Sequence, residues 1–253
     1  MPPSRTKSPV VAGASSYWRD ARAPRYAVTL AAPLLVLYEL LAAATAGSGD
    51  GAIRNGADVI LTSAFSSVAG ARGPLLLGVV MVGGGGLLIW RDVKKHGAPA
   101  LSRLGLMLAE AMALAVATWI VVGSLTQGLL SRLHLLSGPS SLNVPTQLAL
   151  SLGAGLYEEL LFRVLLVGAL LFAGQVLLGW SRRVSATLAV VLSALIFSAF
   201  HYVGPLGDTL TLASFTFRAM AGLWFSGLYV TRGFGITAWA HALYDVAITV
   251  MLG

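Results

Sequence analysis

The sequence predicts an all-α fold: a polytopic transmembrane helical bundle of about seven spans (six to eight), with its N-terminus in the cytoplasm. Three observations carry this. Of the 253 residues, 57% are hydrophobic and 11% charged, with mean hydropathy +0.80; a soluble domain has about 25% charged residues. Apolar segments recur at lengths that can cross a bilayer, which takes roughly 20 residues. Positive charge falls on alternate connections between those segments. Cysteine is absent, which removes disulfides, thiolate zinc sites and a cysteine nucleophile from consideration.

Residues 1–25 are polar and rich in Pro and Ser. They are expected to form a basic cytoplasmic tail, disordered or lying on the surface, and they show no cleavable signal pattern. Apolar segments follow at 26–46, 74–90, 104–123, 146–173, 184–202, 209–230 and 234–252. The stretch Asp58–Ala71 is less apolar and reads as an interfacial helix or half-span. Segment 74–90 holds Gly83, Gly84, Gly85 and Gly86, a run expected to permit close helix contact or a kink. It is not a phosphate loop, because no Lys-Ser/Thr follows. The organisation is therefore a tail (1–25), transmembrane helices without a recognisable motif (26–145) and a motif-bearing core (146–253).

With the N-terminus inside, the cytoplasmic pieces are 1–25, 91–103, 174–183 and 231–233, and they sum to a net charge of +10. The opposite connections, which hold Asp50, Arg54, Asp58, Arg72, Arg132 and Asp208, sum to 0. This is the positive-inside asymmetry. The pI of about 10.1 thus reflects topology and contact with anionic lipid. It does not point to nucleic acid, since the basic residues are dispersed and not interleaved with aromatics on one face.

The charges left inside the spans are Glu39, Glu110, Glu158, Glu159, Arg163, Arg218 and Asp245, accompanied by His201 and His241. Intramembrane charge costs a few kcal/mol even on lenient insertion scales, so each needs a partner or a task. Glu158 and Glu159 are adjacent in the apolar stretch Thr146–Phe172, with Arg163 four residues after Glu159. On a helix Glu159 and Arg163 share a face while Glu158 points about 100° away. One carboxylate can be held while its neighbour stays available. His241 and Asp245 are likewise four apart. Taken singly, Glu39 and Glu110 read as structural hydrogen-bonding groups. Arg218 reads as a counter-ion for one of them or as a residue reaching the outer interface. His96 and His134 read as solvated loop residues.

Three motifs stand in order on three hydrophobic segments: Glu-Glu-x3-Arg (Glu158, Glu159, Arg163), Phe-x3-His (Phe197, His201) and His-x3-Asp (His241, Asp245). In this the chain resembles the CPBP intramembrane protease family, which includes the CAAX prenyl endopeptidases and their bacterial relatives. The resemblance covers about 146–252. It implies an intramembrane endopeptidase of the glutamic type, with catalytic residues Glu158, Glu159, Arg163, His201, His241 and Asp245, and with Phe197 as packing support for His201. Glu158 would be the general base for a water held between it and His201, Arg163 would keep Glu159 oriented, and His241 would donate to the oxyanion. The family's CAAX endopeptidases carry Asn where this chain has Asp245. An amide donates to an oxyanion freely, whereas Asp245 does so only when protonated and otherwise orients His241.

The resemblance implies no cofactor. The two Glu, two His and one Asp are also donors that suit zinc, but no His-Glu-x2-His motif is present. The expected partners are the lipid bilayer and a membrane-anchored protein or peptide substrate. Richness in Ala, Gly and Arg is that of a GC-rich bacterial genome, so the expected location is the bacterial cytoplasmic membrane. An active site within the membrane and opening outward is expected from the depth of Glu158, His201 and His241 in their segments. The alternatives are a non-catalytic scaffold or immunity protein and a proton-coupled transporter; the latter predicts repeated halves with broken helices, and no such repeat is visible.

Overall fold

A computed structural model describes residues 16–47, 53–130, 142–204 and 207–252, apart from the side chains of 126–130 and 252. Beyond a short helical turn at 16–21, the described residues form eight helices and no strand. These are α1 Pro24–Thr45, α2 Gly56–Ala69, α3 Gly73–His96, α4 Leu101–Leu130, α5 Val144–Leu177, α6 Arg182–Phe200, α7 Leu212–Arg232 and α8 Phe234–Leu252. Local chemistry sets the boundaries. Asn55, Asn143, Ser181 and Thr211 each accept a backbone N–H at the start of α2, α5, α6 and α7, satisfying donors that a helix leaves open. Gly97 and Gly233 end α3 and α7 with φ of 79° and 82°, a conformation that only glycine adopts cheaply.

Six stretches are long and apolar enough to cross a membrane: α1, α2 with α3, α4, α5, α6 and α8. The chain is an integral membrane protein on that evidence. Helix α7 is 21 residues long but carries Ser214, Thr216, Arg218 and Ser226; it packs against α4, α6 and α8. Helix α2 has 14 residues, about 21 Å at 1.5 Å per residue, too short for a hydrocarbon core of about 30 Å. It turns through Gly70–Arg72 and packs back on α3, where a Cβ on Gly73 would lie 2.5 Å from Ser66 Cα.

The glycine run is continuous α-helix within α3. Of the close contact or kink expected of it, the contact is present: a Cβ on Gly85 would lie 3.1 Å from Val28, whereas one on Gly83, Gly84 or Gly86 would meet nothing within 4 Å. In lipid every backbone group must find its partner within the helix, which keeps the run helical. One expectation changes: it concerns the N-terminal tail, of which residues 1–15 lie outside the described residues, as does His134. Residues 16–25 are packed. Asp20 and Ala21 are buried, and Asp20 pairs with Arg25 at 2.8 Å and with Arg103. The Arg25 backbone N–H donates to Asp92 at 3.0 Å, the Ala100 N–H to the Tyr26 hydroxyl at 3.1 Å, and Arg232 lies over the Trp18 ring. Burial of apolar and paired charged groups outweighs the polar composition that suggested a tail.

These contacts also gather the basic connections at one end of the bundle. The ends of α1, α4, α6 and α8 and the starts of α2, α5 and α7 lie at the other.

Two apolar clusters fill the interior. One is built around Met107, Ala111, Phe225, Ile236 and Tyr244, the other around Leu34, Tyr38, Leu61, Leu156 and Tyr157. Trp239 packs against both and donates its indole N–H to Leu30 O at 2.6 Å. Helix α5 meets α8 closely, since a Cβ on Gly155 would lie 2.5 Å from the Ala242 Cβ. From Ala154 to Val167 the turns of α5 widen to π-helical winding, a form often found at functional sites.

Candidate active site

The close approach of α5 and α8 sets Glu159 against His241. Glu159 is fully buried. Its Oε1 accepts from His241 Nδ1 at 2.8 Å, and its Oε2 lies 3.2 Å from Arg163 Nε. The Arg163 contact is an ion pair out of line for a hydrogen bond. The guanidinium is fully buried and stacks over Phe197 at 4.5 Å, with Phe162 and Phe225 near 6 Å. Phe225 also lies parallel to the His241 ring at 4.2 Å. Thus aromatic faces and one carboxylate hold both the guanidinium and the imidazole. On its other side His241 Nε2 is 3.5 Å from Asp245 Oδ2.

Glu158 points the other way, to an amide from the N-terminal half. Asn55 donates its side-chain N–H to Glu158 Oε1 at 2.9 Å. Asn55 is itself fixed: its Oδ1 caps α2 through the Ala57 N–H, and its backbone N–H donates to the Tyr38 hydroxyl, which donates to Asp58. Gly153 makes this possible, because a Cβ there would lie 2.6 Å from the Tyr38 ring and 2.8 Å from the Asn55 Cβ.

His201 ends α6. Its Nδ1 is 2.8 Å from the Phe197 carbonyl. A carbonyl only accepts, so Nδ1 carries the proton and, in the neutral ring, Nε2 offers a lone pair. The Phe197 and His201 rings meet edge to face at 4.8 Å. Glu158, His201, Asp245 and Asn55 line one cavity of about 770 Å³, together with Arg54 and Asp208 nearer its mouth. His241 is not part of that wall; Asp245 stands between it and the space.

The other intramembrane charges find structural partners. Glu39 takes Arg54 at 2.7 Å and the Tyr157 hydroxyl at 3.1 Å. Glu110 takes Arg232 at 2.5 Å and the Tyr17 hydroxyl at 2.6 Å. Arg218 serves neither. It pairs with Asp208 and donates to the Ser214 hydroxyl oxygen, so it reaches the end of the bundle away from the basic segments. The counter-ions come instead from Arg54, just before the cap of α2, and Arg232, the last residue of α7, which sequence distance concealed. His96 is exposed at the end of α3 and contacts Asp92. Among the described residues, no three His, Asp or Glu side chains converge with the geometry of metal ligands.

Residues 139–247 match the family model described as Type II CAAX prenyl endopeptidase Rce1-like. Over this segment the chain is similar to the Rce1-like family. The match spans Glu158, Glu159, Arg163, Phe197, His201, His241 and Asp245, so every residue singled out by motif lies within the Rce1-like segment. It supports the general role of a membrane endopeptidase. No curated protein and no solved structure matches the chain significantly. Asn55 lies outside the Rce1-like segment, and sequence reasoning missed it. Its only local signal is that of a helix cap before Gly56, which says nothing of a carboxylate 103 residues away.

Proposed function

We propose that the chain is an intramembrane endopeptidase of the glutamic type, acting on a membrane-anchored protein or peptide. The observation that carries the reading is the division of the carboxylate pair. Glu159 is tied to Arg163 and His241 in a closed interior, whereas Glu158 is held by one neutral amide at the wall of a cavity that His201 and Asp245 share.

In this mechanism Glu158 takes a proton from a water, and His201 Nε2 helps to align that water. The water oxygen forms a bond to the scissile carbonyl carbon, and the carbonyl electrons move to oxygen. Donors fixed in advance stabilise such an oxyanion best. With His241 Nδ1 donating to Glu159, its Nε2 donates only in the imidazolium form; protonated Asp245 is the nearer donor at the wall. Collapse of the intermediate breaks the C–N bond, and Glu158 returns its proton to the leaving amine. A positioned acid–base group contributes about 10²–10⁴-fold.

The composition suits the cytoplasmic membrane of a bacterium. The test compares N- and C-terminal peptide maps of membrane proteomes from cells carrying wild type or Glu158→Gln. Termini that disappear with Glu158→Gln support the protease reading and identify the bond. Identical maps from folded, equally abundant proteins overturn it and leave the scaffold or transporter readings.

A further inference from the structure

The described wall of the cavity lies toward one end of the bundle. It is built from the connection before α2 (Ile53, Arg54), the approach to α5 (Leu142), the connection after α6 (Val203, Asp208) and the last turns of α8 (Thr249). All of these lie at the end opposite the basic segments. That opposite end is tied shut by Asp20, Arg25, Asp92 and Arg103, and the described residues of its basic segments, 16–25, 91–103, 174–183 and 231–233, carry a net +8. Positive connections stay in the cytoplasm, so the mouth faces the extracytoplasmic side. Arg54, Asp208 and Arg218 around that mouth are partly or fully exposed, as charges at a water interface should be.

Size narrows what can enter. The cavity holds about 770 Å³. A helical span 10 Å wide and 30 Å long occupies roughly 2,400 Å³. A whole transmembrane helix therefore does not fit, while a few unwound residues do. Apolar side chains of Ile53, Leu142, Leu150 and Ile248 line the space beside the polar groups, which suits a segment where a span meets water.

We infer that the substrate is an unwound extracytoplasmic juxtamembrane segment of a membrane-anchored protein, entering from the outer face, and not a cytosolic tail. This rests on the endopeptidase reading above, and two independent readouts separate the two ideas. The chain has no cysteine, so single cysteines report access without a background. In intact cells expressing the full chain, a membrane-impermeant maleimide should label Val203→Cys directly, and Lys95→Cys only after permeabilisation. The reverse pattern overturns the inference. The terminal maps supply the second readout. Glu158-dependent termini on the extracytoplasmic flank of a span support the inference, and Glu158-dependent termini in cytosolic segments overturn it even where labelling is as expected. Should no terminus depend on Glu158, the endopeptidase reading fails and the substrate class with it, while the labelling still decides which way the cavity faces.

Discussion

Asn55 and Glu158 are joined by a 2.9 Å hydrogen bond across 103 residues of sequence. The amide comes from the cap of a half-length helix in the N-terminal half, and the carboxylate from the Rce1-like segment. The two halves of the chain thus meet at the group assigned the reacting proton. Asn55→Ser retains a capping oxygen but is too short to reach Glu158. Turnover should fall about 10- to 100-fold, the loss expected when a reacting group is displaced by about 1 Å. Asn55→Ala should lose similar activity and about 1 kcal/mol more stability, because the cap goes too. Processing rates and detergent melting curves check both; wild-type turnover in Asn55→Ser would remove Asn55 from the site.

The paired carboxylates should behave differently when neutralised. Glu158→Gln keeps shape and leaves no buried charge alone, so the protein should fold and lose processing. Glu159→Gln strips the carboxylate from a fully buried Arg163. Breaking a buried pair from one side costs about 3–5 kcal/mol. Glu159→Gln should therefore express poorly or melt much earlier, and Glu158→Gln should not. Equal melting temperatures would contradict this division.

One glycine substitution tests the α5–α8 contact, and a second, on α3, serves as its control. Gly155→Ala forces a Cβ against Ala238 and Ala242. It should cost about 1–3 kcal/mol, as overpacking does, and should loosen the Glu159–His241 bond. Gly83→Ala meets open space and should leave stability unchanged or raise it by up to about 1 kcal/mol, since alanine is the better helix former. Melting of the two variants in one detergent compares them directly.

The Tyr17–Glu110 contact has its own pH signature. Burial and the bond to Glu110 push the Tyr17 phenol above its ordinary value of 10.0. Its contribution to stability is fully present below about pH 10, where the unfolded phenol is still protonated. It is lost as pH rises further, because the unfolded chain releases the proton first. Wild type should therefore lose more stability than Tyr17→Phe between pH 9 and pH 11, an interval bracketing the ordinary tyrosine value of about 10. Parallel losses would show that Tyr17 makes no such contribution.

Sequence alone determined the class, the number of spans within one, the sidedness of the charge and the motif residues on α5, α6 and α8. Those properties are local. Hydropathy, the spacing of four between Glu159 and Arg163, and loop charge each depend on residues close in the chain, and lipid leaves few alternatives to the helix. Tertiary structure decided what those residues meet. Glu39 and Glu110 take Arg54 and Arg232 in place of Arg218, residues 16–25 pack into the bundle, and Gly85 of the four-glycine run meets Val28. Asn55 reaches Glu158 only because Gly153 lets α5 approach Tyr38 and the start of α2. Such pairings depend on which faces of distant helices are brought together, and neither spacing nor hydropathy along the chain encodes that choice.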